Sequence, residues 1–150
     1  MIRTFTFLIL FVFSSIAAAW NYETHQDPIN DTVYHTATVT NISGQEFGLF
    51  CAVENNQAYL FVAFYSPVGF AHGEFEEAEY RVGDITGSGP WTVFGPEMIL
   101  LPNEEHVQNL VEEFKVADRA YFRSENLNDL AEFDTQGGKE QIERLMNACQ

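Results

Sequence analysis

Phe47-Gly-Leu-Phe-Cys-Ala-Val53 is the stretch on which the reading of this chain turns. Side chains of a strand alternate between two faces. Phe47, Leu49, Cys51 and Val53 therefore share one face, and Gly48, Phe50 and Ala52 share the other. The stretch holds one of the two cysteines, and the second, Cys149, is the penultimate residue. If the two pair, the end of the chain is stapled to a strand near its middle.

Reading outward from this strand, Glu54-Asn-Asn56 predicts a hairpin connection into Gln57–Tyr65. That second run is apolar on both faces, as expected of a strand covered from both sides, so the two runs should form the middle of a sheet. Toward the N-terminus, Tyr34–Ile42 alternates as a strand with one rather polar face. Before it come a polar turn around Pro28 and a first strand over Trp20–Thr24. Toward the C-terminus, Ser66-Pro-Val-Gly69 breaks the pattern and Glu74–Val82 reads as a solvent-facing strand. Gly83-Asp84 and Gly87-Ser-Gly-Pro90 read as turns, followed by strands over Trp91–Phe94 and Glu97–Leu101.

Two helices are predicted. Asn103 is a suitable N-cap with Glu104 and Glu105 in the first turn, where the helix dipole favours negative charge. Val107, Leu110, Val111 and Phe114 then form one apolar stripe. A strand pair over Ala120–Ser124 and Leu130–Thr135 precedes a last helix over Lys139–Cys149, whose stripe is Ile142, Leu145, Met146 and Cys149. The expected fold is α+β: a predominantly antiparallel sheet, either a sandwich or one curved sheet, with the C-terminal helix tied by a disulfide to a central strand.

The N-terminus has the form of a secretory signal peptide. Arg3 precedes an apolar run from Phe5 to Phe13, and Ala17 and Ala19 supply the small-residue cleavage pattern. Residues 1–19 are expected to be removed after Ala19, leaving a single domain over 20–150 in the periplasm or outside the cell, without a membrane anchor. Two cysteines in an exported chain read as one disulfide, Cys51–Cys149.

The chain has seven Lys and Arg against 22 Asp and Glu, a net charge of -15. Cleavage removes Arg3 and no acidic residue, taking the mature charge to -16. Such a surface repels nucleic acid and favours a cationic protein partner, although solubility alone accounts for it as well. Chemistry is harder to find. His25 with Asp27 and Asp31, or His72 with Glu74 and Glu76, lacks the spacing of a metal site, and His106 reads as a surface residue. A Cys-x-x-Cys motif is absent, and Gly87-Ser-Gly89 is too short for a nucleophile elbow. No catalytic residue, metal or cofactor is expected. Arg81, crowded by Glu79 and Asp84, is expected to be structural and tied to a carboxylate, with a partner contact as the alternative. Trp91 and Phe94 are the aromatic candidates for a partner contact or a structural role.

One further set of residues stands in a familiar order. Trp20 opens the mature chain, followed by Asp27-Pro-Ile-Asn-Asp31, Leu49-Phe-Cys51, Tyr59-Leu-Phe-Val62, Tyr80-Arg-Val-Gly-Asp84, Trp91, Phe133-Asp-Thr-Gln-Gly137, and Ile142 through Leu145 to Cys149. The arrangement resembles the VasI-like (TagO-like) family of type VI secretion-associated proteins over nearly all the mature domain. It departs from that pattern at Phe50, where the family has a basic residue before the first cysteine, and in its minimal tail after Cys149. The resemblance implies an exported, non-catalytic accessory protein. The alternative reading is an acidic inhibitor or immunity-type protein that captures a basic enzyme such as a lysozyme. A hydrolase using paired carboxylates ranks behind both, since no activating neighbour can be named.

Overall fold

The computed structural model describes residues 20–70, 73–101, 104–127 and 129–150. Nine antiparallel strands form one sheet curled into a half-barrel. In chain order they are β1 (Asn21–Gln26), β2 (Val33–Thr40), β3 (Glu46–Glu54), β4 (Gln57–Tyr65), β5 (Phe75–Val82), β6 (Ile85–Val93), β7 (Met98–Leu101), β8 (Arg119–Ser124) and β9 (Ala131–Asp134). Helix α1 (Glu104–Phe114) links β7 to β8, and α2 (Lys139–Ala148) ends the chain. The spatial order is β1-β2-β3-β4-β7-β6-β5-β8-β9. The strands β5, β6 and β7 therefore fold back so that β7 pairs with β4, and α1 carries the chain across to place β8 beside β5.

Local chemistry explains the tightest turn. Asn55 and Asn56 both have positive φ, 50° and 61°, and Glu54 pairs directly with Gln57. A two-residue hairpin with both central residues left-handed matches the natural twist of paired strands, and asparagine tolerates that region well. The expected β3–β4 hairpin is thus formed.

Both helices lie on the concave face. The stripe Val107, Leu110, Val111 and Phe114 and the α2 residues Ile142 and Leu145 are buried in one core with the inward residues of the sheet. Phe47 is the hub of that core, with ring centroids 5.3 Å from Phe114, 5.7 Å from Phe122 and 5.6 Å from Phe133. Trp20 closes the seam: its indole Nε1 donates to the carbonyl of Thr135 at 2.9 Å. A Cβ on Gly138 would meet the Trp20 ring at 2.4 Å. Trp20, at the start of the described chain, and the segment Thr135–Gly138 before α2 are thereby brought together.

Cys51 and Cys149 form a disulfide with Cα atoms 6.0 Å apart, within the usual range. Cys51 is fully buried on the inner face of β3, and Cys149 caps the C-terminus of α2. The bond fastens the helix to the sheet, as the two apolar stripes required.

Three local expectations are corrected. Gly87–Pro90 is not a turn but the middle of β6, paired residue for residue with β5 from Val82↔Ile85 to Phe75↔Thr92. Gly87 is needed there because a Cβ would lie 2.3 Å from the Tyr80 ring. Pro90 sits in the part of β6 that has β5 as its one neighbour, where a strand tolerates a missing N–H. Strand β5 is not wholly solvent-facing: Glu76, Ala78, Tyr80 and Val82 are buried, alternating with exposed Phe75, Glu77, Glu79 and Arg81. Glu76 is accommodated because Asn126, in the turn after β8, donates to it from its backbone N–H at 3.0 Å and from its side-chain amide. Finally, β4 is covered from one side. Among the described residues, no element packs on the face of β3 and β4 away from the helices. The predicted N-cap, Asn103, lies outside the described residues.

Candidate functional site

The uncovered face carries an apolar cluster of its own. Register places Tyr34 of β2, Phe50 and Ala52 of β3, Tyr59, Phe61 and Ala63 of β4, and Leu100 of β7 on one outward face. Phe50, Ala63 and Leu100 are nearly buried there with no helix above them. They form an apolar cluster separate from the main core, supported by Tyr34, Ala52, Phe61 and Met98.

Phe50 is the floor of this cluster. Its ring centroid lies 5.5 Å from Tyr34, 6.3 Å from Phe61 and 5.9 Å from Phe94. These are spacings at which aromatic rings attract one another beyond their buried area. His25 of β1 stacks on the far side of Tyr34, with centroids 6.5 Å apart and planes 12° from parallel. Tyr59 and Phe94 are each 46% exposed and stand as walls. The hollow between them has a volume of about 360 Å³, with Asn30, Thr32, Glu54 and Thr92 contributing the polar part of its lining. An apolar, aromatic concavity with few polar groups is the usual form of a ligand or partner site.

A larger hollow of about 770 Å³ opens at the end of the sheet, between the β2–β3, β4–β5 and β8–β9 connections. Its lining mixes loop-tip aliphatics (Ile42, Val68, Leu130) with Arg119, Glu132 and Asp134. Much of its lining comes from turns, whereas the floor of the aromatic groove is paired strand, with Phe94 of the β6–β7 connection beside it. The groove is the better defined site.

Charge is divided across the same outer surface. From Trp20 to Tyr80 and from Val82 to Phe114 the sequence contains no lysine or arginine. The strands that carry the groove, β1–β4, β6 and β7, are therefore free of them, yet they hold Glu23, Glu46 and Glu54. The outward residues of β5, β8 and β9 are instead charged and cross-paired: Arg123 binds Glu79, and Arg119 binds Glu132 at 3.0 Å. Beyond the groove, Tyr65 has its phenol pushed up by burial and by the hydrogen bond and charge of Glu97, with Glu46 adding to the effect.

The predicted site residues separate cleanly in space. Phe94 lies in the groove wall. Trp91, three residues earlier, is on the opposite face and fully buried in the core, 5.2 Å from Phe122, so its role is structural. Arg81 is exposed, and its Nε donates to the carbonyl of Gly83 at 2.9 Å rather than to a carboxylate. Glu79, expected to hold it, is taken by Arg123 because Glu79 and Arg123 are directly opposite in the β5–β8 register. Arg81 faces Tyr121 in that ladder. Alternation and motif reading do not single out Tyr34, Phe50, Tyr59 and Phe61 as site residues. The signal is present in the double-sided apolar character of Gln57–Tyr65, which on its own is equally that of a strand covered from both sides by its own chain.

The histidines are dispersed. His35 lies beside the core, with Tyr22 Oη 2.9 Å and Thr24 Oγ1 3.2 Å from its Nδ1, and burial holds its pKa below the ordinary value. His106 is exposed on α1, and His72 lies outside the described residues. Among the described residues no three His, Cys, Asp or Glu side chains converge as a metal site, and no helix is long and apolar enough to cross a membrane. No protein-family model matches the chain, and comparison with curated proteins and with solved structures finds no match either.

Proposed function

We propose that this is an exported, non-catalytic binding protein whose partner docks on the aromatic groove of the outer sheet face. The observation that carries the reading is an apolar cluster built on paired strands and left uncovered by the described chain, centred on Phe50. Strand-borne side chains are held more rigidly than loop-borne ones, which suits recognition. The groove's lining includes one carboxylate, Glu54, and no histidine, cysteine or second acid beside it, so it offers no acid–base or nucleophile pair. Export is supported by the form of residues 1–19 and by a disulfide that persists in oxidising compartments. The type VI resemblance makes a secretion-system accessory the leading setting. Capture of a basic enzyme by an inhibitor or immunity-type protein is the second, favoured by the absence of lysine and arginine from the groove strands.

A photo-crosslinking amino acid at Phe94, compared with one at Tyr121 on the charged part of the outer face, tests the site in the native host. A discrete protein adduct from position 94 and none from 121 is expected. Adducts from 121 alone, or from neither position, would reject the groove as the docking site.

A further inference from the structure

We infer that the groove takes a cationic side chain, arginine in preference to lysine, presented by a basic protein partner. The inference rests on the reading of the groove as the binding site and adds the chemistry of its occupant. Three observations converge on it. The walls and floor are aromatic: the rings of Tyr34, Phe61 and Phe94 lie with centroids 5.5–6.3 Å from the central ring of Phe50. Aromatic faces attract cations within about 6 Å, and most strongly where water is displaced. The acidic residue lining the groove is Glu54, which is exposed and makes no ion pair or side-chain hydrogen bond in the described structure. Finally, all six lysines and arginines of the mature chain lie outside β1–β4, β6 and β7, so no internal cation competes for the site.

The chain already uses the same contact elsewhere, with the Arg144 guanidinium 4.2 Å over the Tyr22 ring on the inner side of β1. A planar guanidinium both stacks on a ring and forks onto a carboxylate, whereas an ammonium does neither as well. An arginine inserted between Tyr59 and Phe94 would rest on the rings and direct its N–H groups to Glu54. Glu23 and Glu46 on the same strands extend the negative field and hasten encounter with a basic surface.

The test uses the full mature protein and two capped peptides, tetra-arginine and its uncharged isostere tetra-citrulline, with binding followed by calorimetry and by NMR shifts of the groove rings. Tetra-arginine is expected to bind and tetra-citrulline to bind at least tenfold more weakly. Glu54→Gln and Phe94→Leu should each weaken tetra-arginine about tenfold, while Glu77→Gln, on the outer face of β5, should leave it unchanged. Tyr59→Leu serves as a second wall variant, and circular dichroism checks that each variant is folded. Equal binding of the two peptides would overturn the cation proposal and leave the groove reading intact. Arginine binding indifferent to Glu54, Tyr59 and Phe94 would overturn it as general attraction to an acidic surface. Failure of both peptides would overturn it too, and the fate of the groove itself would then rest on the crosslinking result.

Discussion

Replacing both cysteines by alanine should cost this domain close to a third or more of an ordinary domain's stability, and the size follows from the chain's own geometry. The bond spans a sequence separation of 98 residues. Loop-closure entropy for a loop of that length gives a stabilisation of roughly 4.7 kcal/mol at 25 °C, acting on the unfolded chain. Truncating the fully buried Cys51 leaves a small void beneath Leu60 and Val53 on top of that, while Cys149 at the end of α2 is only partly buried. A domain of this size loses roughly 3–4 °C of Tm per kcal/mol, so the variant should melt about 15 °C lower. The assay is urea unfolding and thermal melting of residues 20–150, oxidised, reduced, and as Cys51→Ala/Cys149→Ala. Reduction should give the loop term alone, and substitution the same loss plus the smaller cost of the void at the buried Cys51. The m-value should rise as the unfolded chain expands. A loss below about 1 kcal/mol in both forms would refute the argument, showing that the denatured chain keeps its ends together without the bond.

Two other predictions follow from burial and protonation. Trp91→Ala should destabilise by about 3–5 kcal/mol, the cost of emptying a fully buried aromatic site. Phe94→Ala, half exposed, should cost roughly 1–2 kcal/mol on the same reasoning; equal losses in chemical denaturation would contradict the division of the two faces. His35 has its pKa lowered by burial, so the unfolded chain takes up its proton first as pH falls. Its contribution is fully present above about 6.5 and is lost as pH drops from there through the folded value. Relative to wild type, His35→Gln should therefore gain stability between pH 7.5 and 5, and an NMR titration midpoint for His35 at or above 6.5 would refute the assignment.

The sequence by itself determined the staple and most of the elements, the middle of β6 at Gly87–Pro90 excepted. Alternation in Phe47–Val53 and Gln57–Tyr65, the stripes of the two helices and the pair of cysteines are local patterns, and they appear where periodicity puts them. Tertiary structure decided which side of each pattern was covered. Trp91 and Phe94 are indistinguishable as aromatic residues near a strand end, and only the β5–β6–β7 register sends one into the core and the other to the outer face. Arg81 lost its expected carboxylate because the β5–β8 pairing sets Arg123 opposite Glu79, a choice made by residues 44 apart in the chain. Glu76 is legible as a buried acid only once the turn after β8 brings Asn126 to it. The groove follows the same rule. A strand apolar on both faces demands two apolar surroundings, but whether the second comes from this chain or from a partner depends on where its helices pack, and both helices lie on the concave side.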